Sequence, residues 1–249
     1  MKVTVCELPD DRIEFQSSWN RLISETKNKT DLLLLPELSF SSWFAKTPIF
    51  NKNIWEQSCK DHDSMLQNFP EFFQSTVLGT MSVTEGNKHL NQGFSWTAEQ
   101  GYKGIHDKYF LPEEEYFYEQ SWFDRNKKDF SLHSVNNVTI GFQICTEVMF
   151  NEWSRYYGRK GANIIVVPRA SSSHERWPIA LCMAAVASGC FVLSSNRRDN
   201  KIFGGTGYII DPNGKILAST SREQPIVTCE INTEESNVAK NSYPRNVSE

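Results

Sequence analysis

Short apolar runs, too brief for a helix and bounded by turn residues, recur along this chain of 249 residues. They limit the folds open to it more than any other feature. Asp31 to Leu35, Val138 to Ile144 and Asn163 to Val167 each read as a strand covered on both faces. Lys2 to Glu7, Val77 to Val83, Phe191 to Ser195 and Ile226 to Ile231 also read as strands. Helical periodicity separates several of them. Ile13 to Thr26 puts Phe15, Trp19, Leu22 and Ile23 on one side. Asn53 to Asn68 predicts a helix interrupted at Pro70. Glu152 to Lys160 predicts one closed by Gly161, and Trp177 to Ser188 one with Pro178 in its first turn. Pro168 is expected to end its strand, and Gly141 to allow close backbone approach.

Hairpins flank this alternating middle. Phe94 to Ala98 and Tyr102 to His106 are joined through Glu99-Gln100-Gly101. Gly207 to Ile210 and Lys215 to Ala218 are joined through Asp211-Pro212-Asn213-Gly214. The mixture predicts a layered α/β domain rather than a β sandwich. With no linker, low-complexity stretch or repeat, residues 1–249 are expected to form one domain.

Composition excludes several classes. A net charge of -4 offers no field for nucleic acid. No run approaches the roughly 20 apolar residues of a membrane span, and Glu7, Asp10 and Asp11 follow the first apolar stretch too soon for a secretory signal. The six cysteines are widely spaced without a C-x-x-C pair, so neither a zinc site nor a disulfide framework is expected. These features predict a cytoplasmic protein. Asn28-Lys29-Thr30, Asn137-Val138-Thr139 and Asn246-Val247-Ser248 are then chance matches to the glycosylation pattern.

Three polar residues stand where apolar strands end: Glu37, Lys108 and Cys145. Ligands of open α/β sheets bind beyond the carboxyl ends of strands. Each residue alone has a plainer role, as a turn carboxylate, a solvated lysine and a packed thiol. Brought together, they make coherent chemistry. A carboxylate accepts the thiol proton, the thiolate attacks a carbonyl carbon, and an ammonium stabilises the oxyanion. The backbone N–H of Thr146 would add a second donor. Acyl transfer through a thioester needs no metal or organic cofactor.

The sequence around these residues resembles the nitrilase, or carbon–nitrogen hydrolase, superfamily. Leu33-Leu34-Leu35-Pro36-Glu37 is similar to its base motif, and His106-Asp107-Lys108-Tyr109-Phe110-Leu111-Pro112 to its lysine motif. Gly141-Phe142-Gln143-Ile144-Cys145 is similar to its nucleophile strand. The likeness continues through Gly161 to Pro168, Ser194 to Arg197, Phe203 to Gly207 and Asp211 to Gly214. The resemblance implies a four-layer α-β-β-α sandwich, hydrolysis of a small amide, N-carbamoyl or nitrile substrate through a cysteine acyl-enzyme, and assembly into homodimers or larger homo-oligomers. It also implies a second active-site glutamate, best matched by Glu119. Many amidase and carbamoylase members carry Trp-Asp directly after the cysteine, where this chain has Thr146-Glu147.

The leading expectation is hydrolysis of a small linear amide or N-carbamoyl amine. Nitrile hydrolysis is the nearest alternative, and a non-catalytic binding protein of the same fold is the alternative of another class. Arg169, just past Pro168, is expected to meet an anionic group of the substrate, arginine being suited to paired bonds with carboxylate. Trp43, Phe44, Tyr116, Trp122 and Trp177 are candidates for pocket walls, with core packing as the plainer role. A papain-like protease is disfavoured, because none of the five histidines has a matching context.

Overall fold

The computed structural model describes residues 1–135 and 137–247, positions 71 and 72 for their backbone only. Ser248, which ends the Asn246-Val247-Ser248 pattern, lies outside the described residues.

The chain opens with strand β1 (Lys2–Pro9) and helix α1 (Arg12–Thr26). Asp11 caps that helix by accepting the N–H groups of Ile13 and Glu14. Next come β2 (Leu32–Leu34), α2 (Lys52–Phe72), β3 (Thr76–Glu85), β4 (Lys88–Thr97) and β5 (Gly101–Asp107). A short hairpin of β6 (Glu113–Glu114) and β7 (Phe117–Tyr118) leads to a single 3-10 turn, Glu119–Ser121. The second half holds β8 (His133–Val135), β9 (Val138–Phe142), α3 (Asn151–Arg159), β10 (Ile164–Arg169), α4 (Arg176–Ser188) and β11 (Phe191–Arg198). It closes with β12 (Tyr208–Ile210), β13 (Ile216–Ser219), β14 (Ile226–Glu230) and α5 (Glu234–Lys240).

β1 organises both sheets. Its first part pairs in parallel with β2 through Val3↔Leu32 and Val5↔Leu34, and antiparallel with β14 on its other edge. Its last part, Glu7 to Pro9, pairs instead with Asn196 to Arg198 of β11. One sheet runs β5-β4-β3-β2-β1 and the other β11-β10-β9-β8, with β12 and β13 beyond β11. Alternation along the strands assigns the layers. Val3, Val5, Leu32, Leu34 and Leu78 share a buried cluster with Ile140, Phe142, Ile164 and Val166. Leu8, Leu33, Leu35 and Val77, which face the other way, pack with Phe15 and Trp19 of α1 and Phe69 of α2. On the far side, α3 and α4 cover the second sheet with Tyr157, Leu181 and Ala184. The result is a four-layer α-β-β-α sandwich.

Two glycines set the spacing. A Cβ on Gly93 of β4 would lie 2.7 Å from the Phe142 ring, so the sheets meet closely there. A Cβ on Gly141 would lie 2.5 Å from the Tyr157 ring. The close approach expected at Gly141 is therefore that of an aromatic ring from α3, not of another backbone. Tyr157 also donates its hydroxyl to the Phe142 carbonyl at 2.8 Å.

Both prolines read as breaks lie inside elements. Pro70 sits within α2, which runs on to Phe72. An interior proline costs about 3 kcal/mol. Here Phe69 and Phe73 bracket it, both buried against Trp19 and against each other, and that packing offsets the lost bond. Pro168 pairs with Ser195 within β10. The ladder to β9 stops at Val166, so the missing N–H breaks no pairing on that side. The strand before Cys145 is shorter than expected, ending at Phe142, although Gln143 still donates to the Val166 carbonyl at 3.0 Å. β8 and α5, and the first half of β4, have no clear periodic signal in the sequence.

Candidate active site

The three strand-end residues converge. β2 runs out at Leu34, and the turn beginning at Glu37 carries its carboxylate inward, fully buried. Lys108 follows directly on β5 and is 1% exposed. Its Nζ donates to Glu37 Oε1 at 2.7 Å and to Glu119 Oε1 at 2.7 Å. Glu119 Oε2 lies 2.6 Å from the same ammonium without accepting a directed bond. Glu119 is positioned by the 3-10 turn after β7, whose first N–H donates to the Pro112 carbonyl at 2.9 Å. Cys145 opens another 3-10 turn just past β9 and adopts a φ of 49°. That left-handed conformation is rare for a residue with a side chain and re-aims the thiol at the strand end.

The backbone of Ala170 ties Glu37 and Cys145 together. Its N–H donates to Glu37 Oε2 at 3.1 Å, and its carbonyl lies 3.8 Å from Cys145 Sγ. Asn91 of β4 performs a similar service on the other side. Its Nδ2 donates to Glu37 Oε1 at 2.7 Å, and its carbonyl accepts the Lys108 N–H at 2.9 Å. Arg197 of β11 clamps the Glu37 turn from behind. Its guanidinium donates to the carbonyls of Glu37 (3.2 Å), Leu38 (2.6 Å) and Ser41 (2.7 Å) and pairs with Asp10. Neither Asn91 nor Ala170 is flagged by sequence reasoning. Asn91 sits in the half of β4 that carries no periodic signal, so nothing in the sequence points to it.

Burial decides the protonation states. It pushes the Cys145 thiol well above its ordinary value, and the Glu37 carboxylate adds to this, so the resting group is a neutral thiol. Burial opposes the charge on Lys108, but the Glu119 and Glu37 carboxylates outweigh it and hold the ammonium. Two carboxylates around one cation leave an excess negative charge out of water. Glu119 relieves it: burial pushes its pKa up to about 8, against the pull of Lys108.

Behind the site, Glu147 fastens the loop of Cys145 to the loop of Lys108. Its Oε2 accepts the Ile144 N–H at 2.8 Å, its Oε1 accepts the Tyr109 N–H at 2.8 Å, and Oε2 lies 2.7 Å from His106 Nε2. The other ring nitrogen of His106 lies 2.9 Å from the Asp129 carbonyl. With acceptors at both nitrogens, the ring suits the imidazolium form. Burial lowers its pKa, but the Glu147 carboxylate more than offsets this, and the net shift is upward. The folded protein therefore holds a proton that the unfolded chain releases near pH 6.5. The stabilisation is complete below about pH 6.5 and fades as pH rises through the higher native value. In denaturant titrations, the stability difference between wild type and His106→Gln should be largest near pH 6 and shrink toward alkaline pH. A difference that grew with pH would contradict the ion pair.

Cys145, Glu119 and Thr146 line a small cavity of about 120 Å³ together with Ser171, Arg176 and Trp177. Arg169 stands apart from that lining. It is 1% exposed and donates to Ser194 Oγ (2.7 Å), Ser171 Oγ (2.9 Å) and the Thr206 carbonyl (2.5 Å). Of the five aromatics read as pocket walls, Trp177 lines this cavity, while Trp43, Phe44 and Trp122 pack in a buried cluster and Tyr116 is exposed. Among the described residues, no group of three His, Cys, Asp or Glu side chains is gathered closely enough to hold a metal ion. No helix among them is long and apolar enough to cross a membrane.

A carboxylate, an ammonium and a thiol meeting at strand ends of an α-β-β-α sandwich define a family as well as a geometry. The carbon-nitrogen hydrolase family model matches residues 2–241, and the chain belongs to that family. It is similar to the 2-oxoglutaramate amidase of Bacillus subtilis, 37% identical over 125 residues, which are 46% of this chain and 45% of that protein. That match, like the one to deaminated glutathione amidase of Synechocystis, spans somewhat under half the relative's length. A citrullinase of Francisella tularensis is 22% identical over 223 residues, 82% of this chain and 77% of its own. In structure, the chain resembles a carbon-nitrogen hydrolase from Helicobacter pylori G27, with a TM-score of 0.86 at 19% identity, covering 98% of this chain and 94% of that one.

Proposed function

We propose that this protein hydrolyses a small linear amide or N-carbamoyl amine through a thioester on Cys145, and that residues 1–249 act as one catalytic unit. The observation that carries this reading is the buried Glu37–Lys108–Glu119 cluster, joined to the thiol through Ala170. Membership of the carbon-nitrogen hydrolase family and the amidase names of its relatives support the reaction class.

Each step uses a group in place. Glu37 takes the thiol proton, and Cys145 Sγ attacks the carbonyl carbon. Two of the three donors on the Lys108 ammonium face carboxylates, leaving one for the oxyanion. The Thr146 N–H is the second oxyanion donor. As the C–N bond breaks, Glu37 returns its proton to the nitrogen, and ammonia or an amine departs. Water, deprotonated by Glu37, then cleaves the thioester and releases the acid, or carbamate that yields carbon dioxide. Glu119 Oε2, buried on the cavity wall without a directed bond, is the polar atom left to meet the substrate amide. Arg169 acts through Ser171 on the wall. Pairing of two chains through the α3–α4 layer is supported by Ile179, 67% exposed, and Met183, 49% exposed, one turn apart on α4.

A panel of short amides, N-carbamoyl amines and nitriles, read by ammonia release and by intact mass for an acyl adduct, tests the reading. Amides or carbamoyl amines should yield ammonia and a transient adduct on Cys145. Turnover of nitriles with none of amides would move the assignment to nitrile hydrolysis. No turnover and no adduct across the panel would favour a binding role.

A further inference from the structure

We propose that the cavity above Cys145 takes an amide whose far end carries a single carboxylate, and that Arg176 receives it. This inference rests on the amidase reading above and deepens it.

The three arginines around the site differ in what already holds them. The Arg169 guanidinium is engaged by Ser194, Ser171 and the Thr206 carbonyl. Arg197 is engaged by Asp10 and three backbone carbonyls. Both are buried structural cations. Arg176 is exposed on the wall of the same cavity that Cys145 lines. Its backbone N–H bonds His174 Nδ1 at 3.1 Å, but its guanidinium has no ion pair or hydrogen bond among the described residues. An arginine that lines this cavity and whose planar fork of donors has no partner fits a carboxylate bidentately.

The surroundings narrow the ligand further. Trp177, the next residue, offers an apolar surface for a methylene chain, and Ser171 and Ser172 add hydroxyls on the same wall. Glu114, on the β6–β7 hairpin, also lines the cavity. A second negative group on the substrate would meet that carboxylate. One carboxylate, an unbranched apolar chain and a terminal amide is the chemistry that matches Arg176, Trp177 and Cys145 in turn. The anion contact expected of Arg169 from the sequence is thereby assigned to Arg176, seven residues further on.

The test separates binding from turnover. Affinities of Cys145→Ala for the ω-amides of succinate, glutarate and adipate are measured by titration calorimetry. Each is compared with the uncharged amide of equal chain length. At least one acid amide should bind tenfold or more tightly than its neutral match. In Cys145→Ala/Arg176→Gln that ratio should fall toward one, with Arg176→Lys intermediate because it keeps charge but loses the paired geometry. No preference for any acid amide, or a preference that survives Arg176→Gln, overturns the proposal. Ammonia release by wild type on the same compounds is the separate readout. Its absence alongside an Arg176-dependent preference overturns the amidase reading and leaves the carboxylate site standing.

Discussion

Cys145→Ala should abolish ammonia release from every amide the wild-type protein hydrolyses, a fall on the order of 10⁴-fold or more. The size follows from the chemistry. On the thioester reading proposed above, no covalent intermediate forms without the sulfur, and the remaining groups can only bind and polarise the substrate. The variant should fold normally. Cys145 is a small residue, and alanine in the same left-handed turn carries a similar backbone cost. Cys145→Ser should be nearly as inactive, because a hydroxyl is harder to deprotonate than the thiol it replaces. The thiol itself is held neutral by burial and by Glu37, so the proposed mechanism has the thiolate form by transfer to Glu37 in the encounter with substrate. Retained turnover in Cys145→Ala, with the ammonia traced to the added amide, would remove this residue from the reaction.

Lys108→Met should cost both activity and stability, which Cys145→Ala does not. It leaves Glu37 and Glu119, fully buried and 1% exposed, without the cation between them. Breaking a buried pair by removing one partner costs about 3–5 kcal/mol. At roughly 2–4 °C per kcal/mol for a chain of this size, the thermal midpoint should drop by about 6–20 °C. The deficit should be smaller at acid pH. Stranded carboxylates have raised native pKa values, so the folded state takes up protons that the unfolded chain holds only at lower pH, and its stability falls as pH rises. Adding Glu119→Gln should recover part of the midpoint and none of the activity. Calorimetric scans of wild type, the single and the double variant check this. An unchanged midpoint in Lys108→Met would mean that the ammonium does not hold the two carboxylates together.

Most of the fold is legible because its strands are either continuous apolar runs or clear alternations, and its helices carry one apolar face. Phe15, Trp19 and Leu22 mark the buried side of α1 by their spacing alone, and all three are buried. The failures share a physical cause. Pro70 and Pro168 are breakers by local chemistry, yet aromatic packing around one and an ended ladder beside the other make each tolerable. Both reasons lie in residues far along the chain.

The sequence by itself determined the layered α/β class, the three strand-end groups and, through the motif around Glu119, a fourth buried beside them. It could do so because strand periodicity and motif order are local. Tertiary structure alone decided how those groups are held. Asn91 lies 54 positions from Glu37 and Ala170 lies 133 away, yet both bond its carboxylate. It also decided which arginine faces the cavity. Arg169 and Arg176 are equivalent as charges in a sequence, but β10 carries the first behind the wall while the start of α4 leaves the second on it. Side-chain direction and the competition among nearby acceptors are set by packing between the layers, which no single stretch of sequence contains.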